Sequence, residues 1–291
     1  MGAGVRVHMR PADNNMEDMK DEPIINDNTA SKNDGKETVK AALSNTIANG
    51  IVMVFALLML PITTRILSTR DLGIATNFFS IRNICLNVFT LASYMALNRG
   101  MLEFKNEKKE YISSILLFNF FATGALFLLA LPFNNILGEF FGYPKIFFYM
   151  LFMSVFFWTA YNLGTGYLLF MNRYVPMFAI NMFIGPISQI AAFFLIIHMS
   201  RNKYIGRVVG IDGFYWVIGA IFVVLILSHK GAKLQKKHLS FALALSIPLI
   251  PHLLAQTLLS QSDILMITHF SGADKTGIYS MAYTIGTVLY A

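Results

Sequence analysis

Ionisable side chains stand inside runs otherwise fit for hydrocarbon, among them Arg82 in "FFSIRNICLNVF" (78–89), and His252 and Asp263 in "PHLLAQTLLSQSDILMITHF" (251–270). A guanidinium stays charged at any working pH and can grip phosphate oxygens through paired hydrogen bonds. An arginine at the centre of a membrane helix costs about 2.5–3.5 kcal/mol on insertion scales, so such a residue is a functional hypothesis by default. A structural ion pair is the competing role for Arg82. A carboxylate at Asp263 can take Na⁺ or H⁺ as a coupling site, neutralise Arg82 or Arg65 as a gating pair, or touch substrate directly. Arg65, nearer the end of its run, can instead snorkel to an interface. His252 is by itself the weakest of these signals, since a satisfied interhelical bond would explain it.

Both runs carry further polar residues at helical spacing. Thr76, Ser80, Asn83, Asn87, Thr90, Tyr94 and Asn98 fall within an arc of roughly 80° at about 100° per residue. Arg82 lies about 100° off that stripe. A stripe of this length is expected to face a water-filled cavity or another helix; interhelical bonds of about 0.6–2 kcal/mol each are the plainer use. His252, Gln256, Ser260 and Asp263 form a second stripe, expected to face the first across a central cleft. Pro248 and Pro251 precede it and permit a bend by leaving carbonyls unpaired.

The elements that must position these residues follow from composition. The 291 residues are 55% hydrophobic and 13% charged, with a mean hydropathy of +0.56. A soluble domain carries about 25% charged residues, so repeated long apolar runs predict an all-α polytopic transmembrane helical bundle. Hydropathy places eight segments near 41–65, 74–98, 112–134, 146–171, 176–199, 211–228, 241–268 and 277–291. Residues 1–40 hold six Lys/Arg against eight Asp/Glu and read as a disordered tail; the rest holds 17 against eight. With the N-terminus inside, inside loops and tail carry twelve Lys/Arg and outside loops seven, Arg207 among them, in the sense of the positive-inside rule. The basic residues sit in short loops, so a nucleic-acid partner is not expected. The single cysteine, Cys85, lies in an apolar run and implies no disulfide.

"STRDLGIATNFFSI" (68–81) and "SGADKTGIYSMAYTI" (271–285) align with one inserted residue. Ser68 matches Ser271, Asp71 matches Asp274, Gly73 matches Gly277, Ile74 matches Ile278 and Ile81 matches Ile285. Tight hairpins alone would favour a Ser or Asp cap and a glycine. The copies lie six segments apart, so both face the same side, as in two six-helix lobes repeated about an axis along the membrane normal. The expected organisation is a cytoplasmic tail (1–40), a six-helix N-terminal lobe (41–228), a basic linker (229–240) and the first two helices of a truncated second lobe (241–291).

An arginine ending the first segment, then "LSTRDLGIATNF", and later Gln261 and Asp263 with "ILMITHFSGADKTGIYSMAY", resemble the polysaccharide (O-antigen type) flippases. These belong to the multidrug/oligosaccharidyl-lipid/polysaccharide exporter superfamily. The resemblance covers about residues 40–291 and departs in lacking the C-terminal spans of twelve- to fourteen-helix members. It implies export of a polyprenyl-diphosphate-linked oligosaccharide across a bacterial inner membrane for lipopolysaccharide or other surface polysaccharide. Lipid-linked oligosaccharide, membrane lipids, and synthesis and polymerisation proteins are the implied partners. For such a substrate the polar stripes and buried charges make Arg82, Asn83, Asn87, Ser80, Arg65 and Gln256 the expected binding residues, and Asp263 and His252 the expected coupling or gating residues. A cation-coupled drug antiporter of the same superfamily, and a non-transporting remnant or assembly partner, are the rival expectations. No enzyme chemistry is expected: the sequence has no metal-spaced His/Cys/Asp cluster, phosphate loop or GxSxG elbow. No cofactor is expected beyond H⁺ or Na⁺ coupling.

Overall fold

The computed structural model describes residues 46–47, 50–141, 144–171 and 173–290; the tail expected over 1–40 lies outside them. Among the described residues the chain is helical throughout, with no strand. The helices are α1 (Gly50–Ile66), α2 (Thr69–Phe89), α3 (Leu97–Glu103), α4 (Lys108–Ala130), α5 (Asn134–Phe141), α6 (Lys145–Phe170), α7 (Tyr174–His198), α8 (Lys203–Leu227), α9 (Lys236–Ser246), α10 (Ile250–Ser271) and α11 (Ala273–Tyr290). Five stretches are long and apolar enough to cross a membrane: Lys108–Phe140, Ile146–Phe170, Tyr174–His198, Lys203–Leu227 and Lys236–Ser271. The protein is therefore a polytopic helical membrane bundle.

Proline sets two of the breaks. Pro132 falls in a short 3-10 turn, Leu131–Phe133, between α4 and α5. It has no N–H, and its ring would crowd the carbonyl four residues back. Pro248 and Pro251 do the same between α9 and α10, where Ile247–Leu249 forms a 3-10 turn. The α-helical hydrogen-bond pattern is interrupted there, at the prolines expected to permit a bend.

The second segment is not one helix. α2 ends at Phe89, and Leu91 and Ala92 turn left-handed at φ 47° and 50° before the 3-10 turn Ser93–Ala96 and α3. Two non-glycine residues in that region cost about 1–2 kcal/mol each. Side chains offset the cost. Thr90 Oγ1 donates to the Leu86 carbonyl at 2.5 Å, and fully buried Ser93 donates to Asn119 of α4 at 2.9 Å. The expected seven-residue stripe is thereby cut: Thr76, Ser80, Asn83 and Asn87 share α2, while Asn98 is exposed on α3.

α6 is the centre of the bundle. Of its spanning stretch 61% is buried, against 11–28% for the other four. One apolar cluster packs α2, α6 and α8 (Phe78, Ile81, Phe147, Val155, Val208). A second packs α3, α4, α6 and α9 (Leu97, Tyr111, Ile115, Leu163, Ala242). The sixth segment starts earlier than its hydropathy implies. α8 opens at Lys203, after Asn202 in a left-handed conformation, so Lys203 and Arg207 are helical residues and not the loop cations expected.

The two segments that align in sequence, 68–81 and 271–285, meet. A Cβ on Gly73 would fall 1.8 Å from the Ala273 carbonyl oxygen, and one on Gly277 would fall 1.9 Å from that of Thr69. Only glycine permits this approach of α2 and α11. Thr69 Oγ1 donates to Asp274 Oδ1 at 3.1 Å alongside.

Candidate functional site

Arg82 is buried, at 7% exposure. Its Nη1 forms an ion pair with Asp212 Oδ1 of α8, and Nη2 donates to Asn83 Oδ1 at 3.3 Å. The guanidinium carbon lies 4.5 Å from the centre of the Trp158 ring and 5.2 Å from that of Phe79, a cation–π setting that suits arginine. The other Asp212 oxygen accepts from Ser154 Oγ of α6 at 2.7 Å, which itself accepts from Trp216 Nε1 at 3.1 Å. The line Trp216–Ser154–Asp212–Arg82 thus ties α8, α6 and α2 together with both carboxylate oxygens engaged. An ion pair this deep is costly to break, because removing either partner strands the other charge away from water.

Beside this line lies a cavity of about 300 Å³ bounded by α1, α2, α7, α8 and α11. Thr63, Phe79, Arg82, Gln189, Arg207 and Thr284 line it. Arg207 forms no ion pair among the described residues, and its buried Nε, like that of Arg82, has no hydrogen-bond partner. Among the described residues, two guanidiniums against one carboxylate leave the cavity a net positive charge. Because Asp212 neutralises Arg82, Arg207 is, among the described residues, the cavity cation without a carboxylate partner.

The other expected site residues are dispersed. Asn83 supports Arg82, and Ser80 is buried. Asn87 donates from Nδ2 to Thr257 Oγ1 at 2.9 Å and accepts from Tyr94 at 3.1 Å, so it bridges α2 to α10. Arg65 is exposed at the end of α1. His252, Gln256 and Asp263 are exposed on α10, and Asp263 Oδ2 accepts from Tyr279 of α11 at 2.9 Å. Two expectations are therefore corrected. Asp263 pairs with neither Arg82 nor Arg65, because Asp212 already satisfies Arg82 and Arg65 is exposed on another helix. The α10 stripe does not face α2 either. The Asn87–Thr257 bond and the Thr268–Thr276 bond at 2.9 Å turn Thr257, Ile264 and Thr268 inward, about 100° round from 256 and 263.

Asp212 and Arg207 are the residues that sequence reasoning missed. The available signal was "GRVVGIDGFYW" (206–216), an arginine and an aspartate five apart among small and apolar residues.

A second polar cluster pins residues 229–238 to the start of α4. Glu107 Oε2 accepts from Lys237 at 2.5 Å and lies 3.1 Å from Nε2 of fully buried His238. Nδ1 of that ring is 3.2 Å from Ser114 Oγ, which donates to the Lys233 carbonyl at 2.7 Å. Glu110 Oε1 lies 3.0 Å from His229 Nε2. The Lys237 hydrogen bond, then that of His238, holds the Glu107 carboxyl below the usual carboxylate range.

No curated protein and no solved structure matches the chain. A family model described as polysaccharide biosynthesis protein matches residues 38–290.

Proposed function

The chain belongs to the polysaccharide biosynthesis protein family, and from that premise we propose that it flips a polyprenyl-diphosphate-linked oligosaccharide from the inner to the outer leaflet of a bacterial inner membrane, with its N-terminus inside. The observation that carries this reading is the cavity holding Arg207 beside the neutralised Arg82. Its 300 Å³ lies at the lower end for ligand sites and suits a diphosphate better than an oligosaccharide. Arg207 is the primary phosphate ligand, with the free Nε edge of Arg82 beside it. Asp212 holds Arg82 in place. The sugar travels in the cleft while the lipid tail stays in the bilayer, and the lobes rock to expose the cleft to each side in turn.

The test is Arg207→Gln in the complete protein, with surface polysaccharide and membrane protein level measured together. Loss of surface polysaccharide at normal protein level is expected. Normal surface polysaccharide overturns the assignment.

A second reading is a cation-coupled antiporter for small molecules. It is favoured by Asp263, whose carboxylate has a tyrosine hydroxyl and no cation as its partner among the described residues. Altered drug susceptibility on deletion, with surface polysaccharide intact, selects it.

A further inference from the structure

A second cavity, of about 370 Å³, lies between α4, α6 and α8 at the end of the bundle where α4 begins and α6 and α8 finish. Its walls are apolar: Ile112, Leu168, Phe222, Leu225 and Ile226. Gly164 shapes it, since a Cβ there would fall 2.2 Å from the Phe222 ring; without one, the ring lies directly against α6. Leu225 is 62% exposed, and Val217, Ile221 and Val224 continue an exposed apolar face along α8. The cavity therefore opens on a surface built for acyl chains.

Its rim is cationic. Lys109 and His229 stand there, and Lys108 Nζ lies 4.8 Å from the Phe170 ring centre. The carboxylate at the mouth, Glu110, is engaged by His229. Neither Lys108 nor Lys109 forms an ion pair among the described residues. An apolar slot open to the bilayer with two uncompensated ammonium groups at its membrane-water end complements one molecule class, a phospholipid with an anionic headgroup. We propose that this slot binds an anionic phospholipid as a resident ligand, its phosphodiester on Lys109 and Lys108 and an acyl chain along Phe222 and Leu225. The site is separate from the Arg207 cavity and stands whether or not the chain moves a glycan.

The experiment is native mass spectrometry of the purified protein in mixed micelles of phosphatidylglycerol or phosphatidylcholine, with thermal unfolding measured in parallel. Retention of phosphatidylglycerol above phosphatidylcholine is expected. Lys109→Ala weakens that retention about tenfold or more, as loss of a charge-assisted contact does. Lys275→Ala, an exposed lysine on α11, leaves it unchanged. Leu225→Gln, at an exposed wall position, lowers retention of phosphatidylglycerol while the rim charges remain and the unfolding temperature in lipid-free micelles stays near wild type. Equal retention of the two lipids, wild-type retention in Lys109→Ala, or equal thermal stabilisation by inorganic phosphate alone would each overturn the proposal.

Discussion

Gly73 and Gly277 face each other with exchanged partners. Each glycine meets the carbonyl of the residue four places before the other, Ala273 in one direction and Thr69 in the reverse. A contact in which i meets j − 4 and j meets i − 4 is what a local two-fold between repeated units produces. The two sequence copies thus supply both halves of a single helix crossing, and no side chain separates the backbones.

That crossing predicts an asymmetry between glycines. Gly73→Ala and Gly277→Ala force backbone against backbone and should each destabilise at or above the top of the about 1–3 kcal/mol range for overpacking. Gly124→Ala, whose Cβ would meet nothing within 4 Å, should be neutral or stabilise by up to about 1 kcal/mol through helix propensity. Thermal unfolding of the three variants in one detergent checks the ranking.

The Arg82–Asp212 pair predicts non-additive stability. Asp212→Ala strands a buried guanidinium and should cost about 3–5 kcal/mol, as should Arg82→Ala by stranding the carboxylate. Arg82→Met with Asp212→Leu should recover most of that loss. A double variant as unstable as the sum of the singles would show that the pair does not act as a unit.

The same pair separates two arginines by function. Arg207→Gln should abolish transport with little change in stability. The Arg82→Met/Asp212→Leu protein should fold and retain partial transport, because Arg207 remains. Surface polysaccharide compared at matched protein level reads the difference.

Acid should loosen the contact between residues 229–238 and α4. The Glu107 carboxyl is held below its ordinary value of 4.5, first by Lys237 and then by His238. Its contribution is therefore full above that ordinary value and is lost as the pH falls through the lower folded value. The melting-temperature gap between wild type and Glu107→Gln should be constant near neutrality and close on acidification. A gap that instead widened on acidification would contradict the sign.

On the antiporter reading, Asp263 couples ion flow without supporting the fold. It is exposed and bonded to Tyr279 alone among the described residues. Asp263→Asn should leave thermal stability within about 0.5 kcal/mol and remove the dependence of transport on an imposed Na⁺ or H⁺ gradient. Transport assays in vesicles with and without the gradient decide it.

The helices were legible where hydropathy is a local property. Hydropathy places residues 146–171 and 176–199 almost as α6 and α7 stand, because length and apolarity are written in the segment itself. The break after Phe89 was not legible, because Ser93 is held by Asn119, on another helix. Arg82 is recognisable from its surroundings, but its partner stands 130 residues away, and the aspartate in "GRVVGIDGFYW" does not say which charge it meets. The stripe on α10 had the right spacing and the wrong rotation. Spacing fixes which residues share a face, while Thr257 meeting Asn87 fixes which face turns inward.

The separation of Arg82 from Asp212 also sets a schedule for biogenesis. The chain emerges N-terminus first, at about 5–20 residues per second. The 130 residues between the two therefore leave Arg82 without its counter-charge for roughly 7–26 s. During that interval Arg82 has no counter-charge from α8, and α2 would carry the insertion penalty of an unpaired arginine if it were released into lipid. In an Asp212 variant that counter-charge never arrives, so its defect would show at synthesis, before it ever met a substrate.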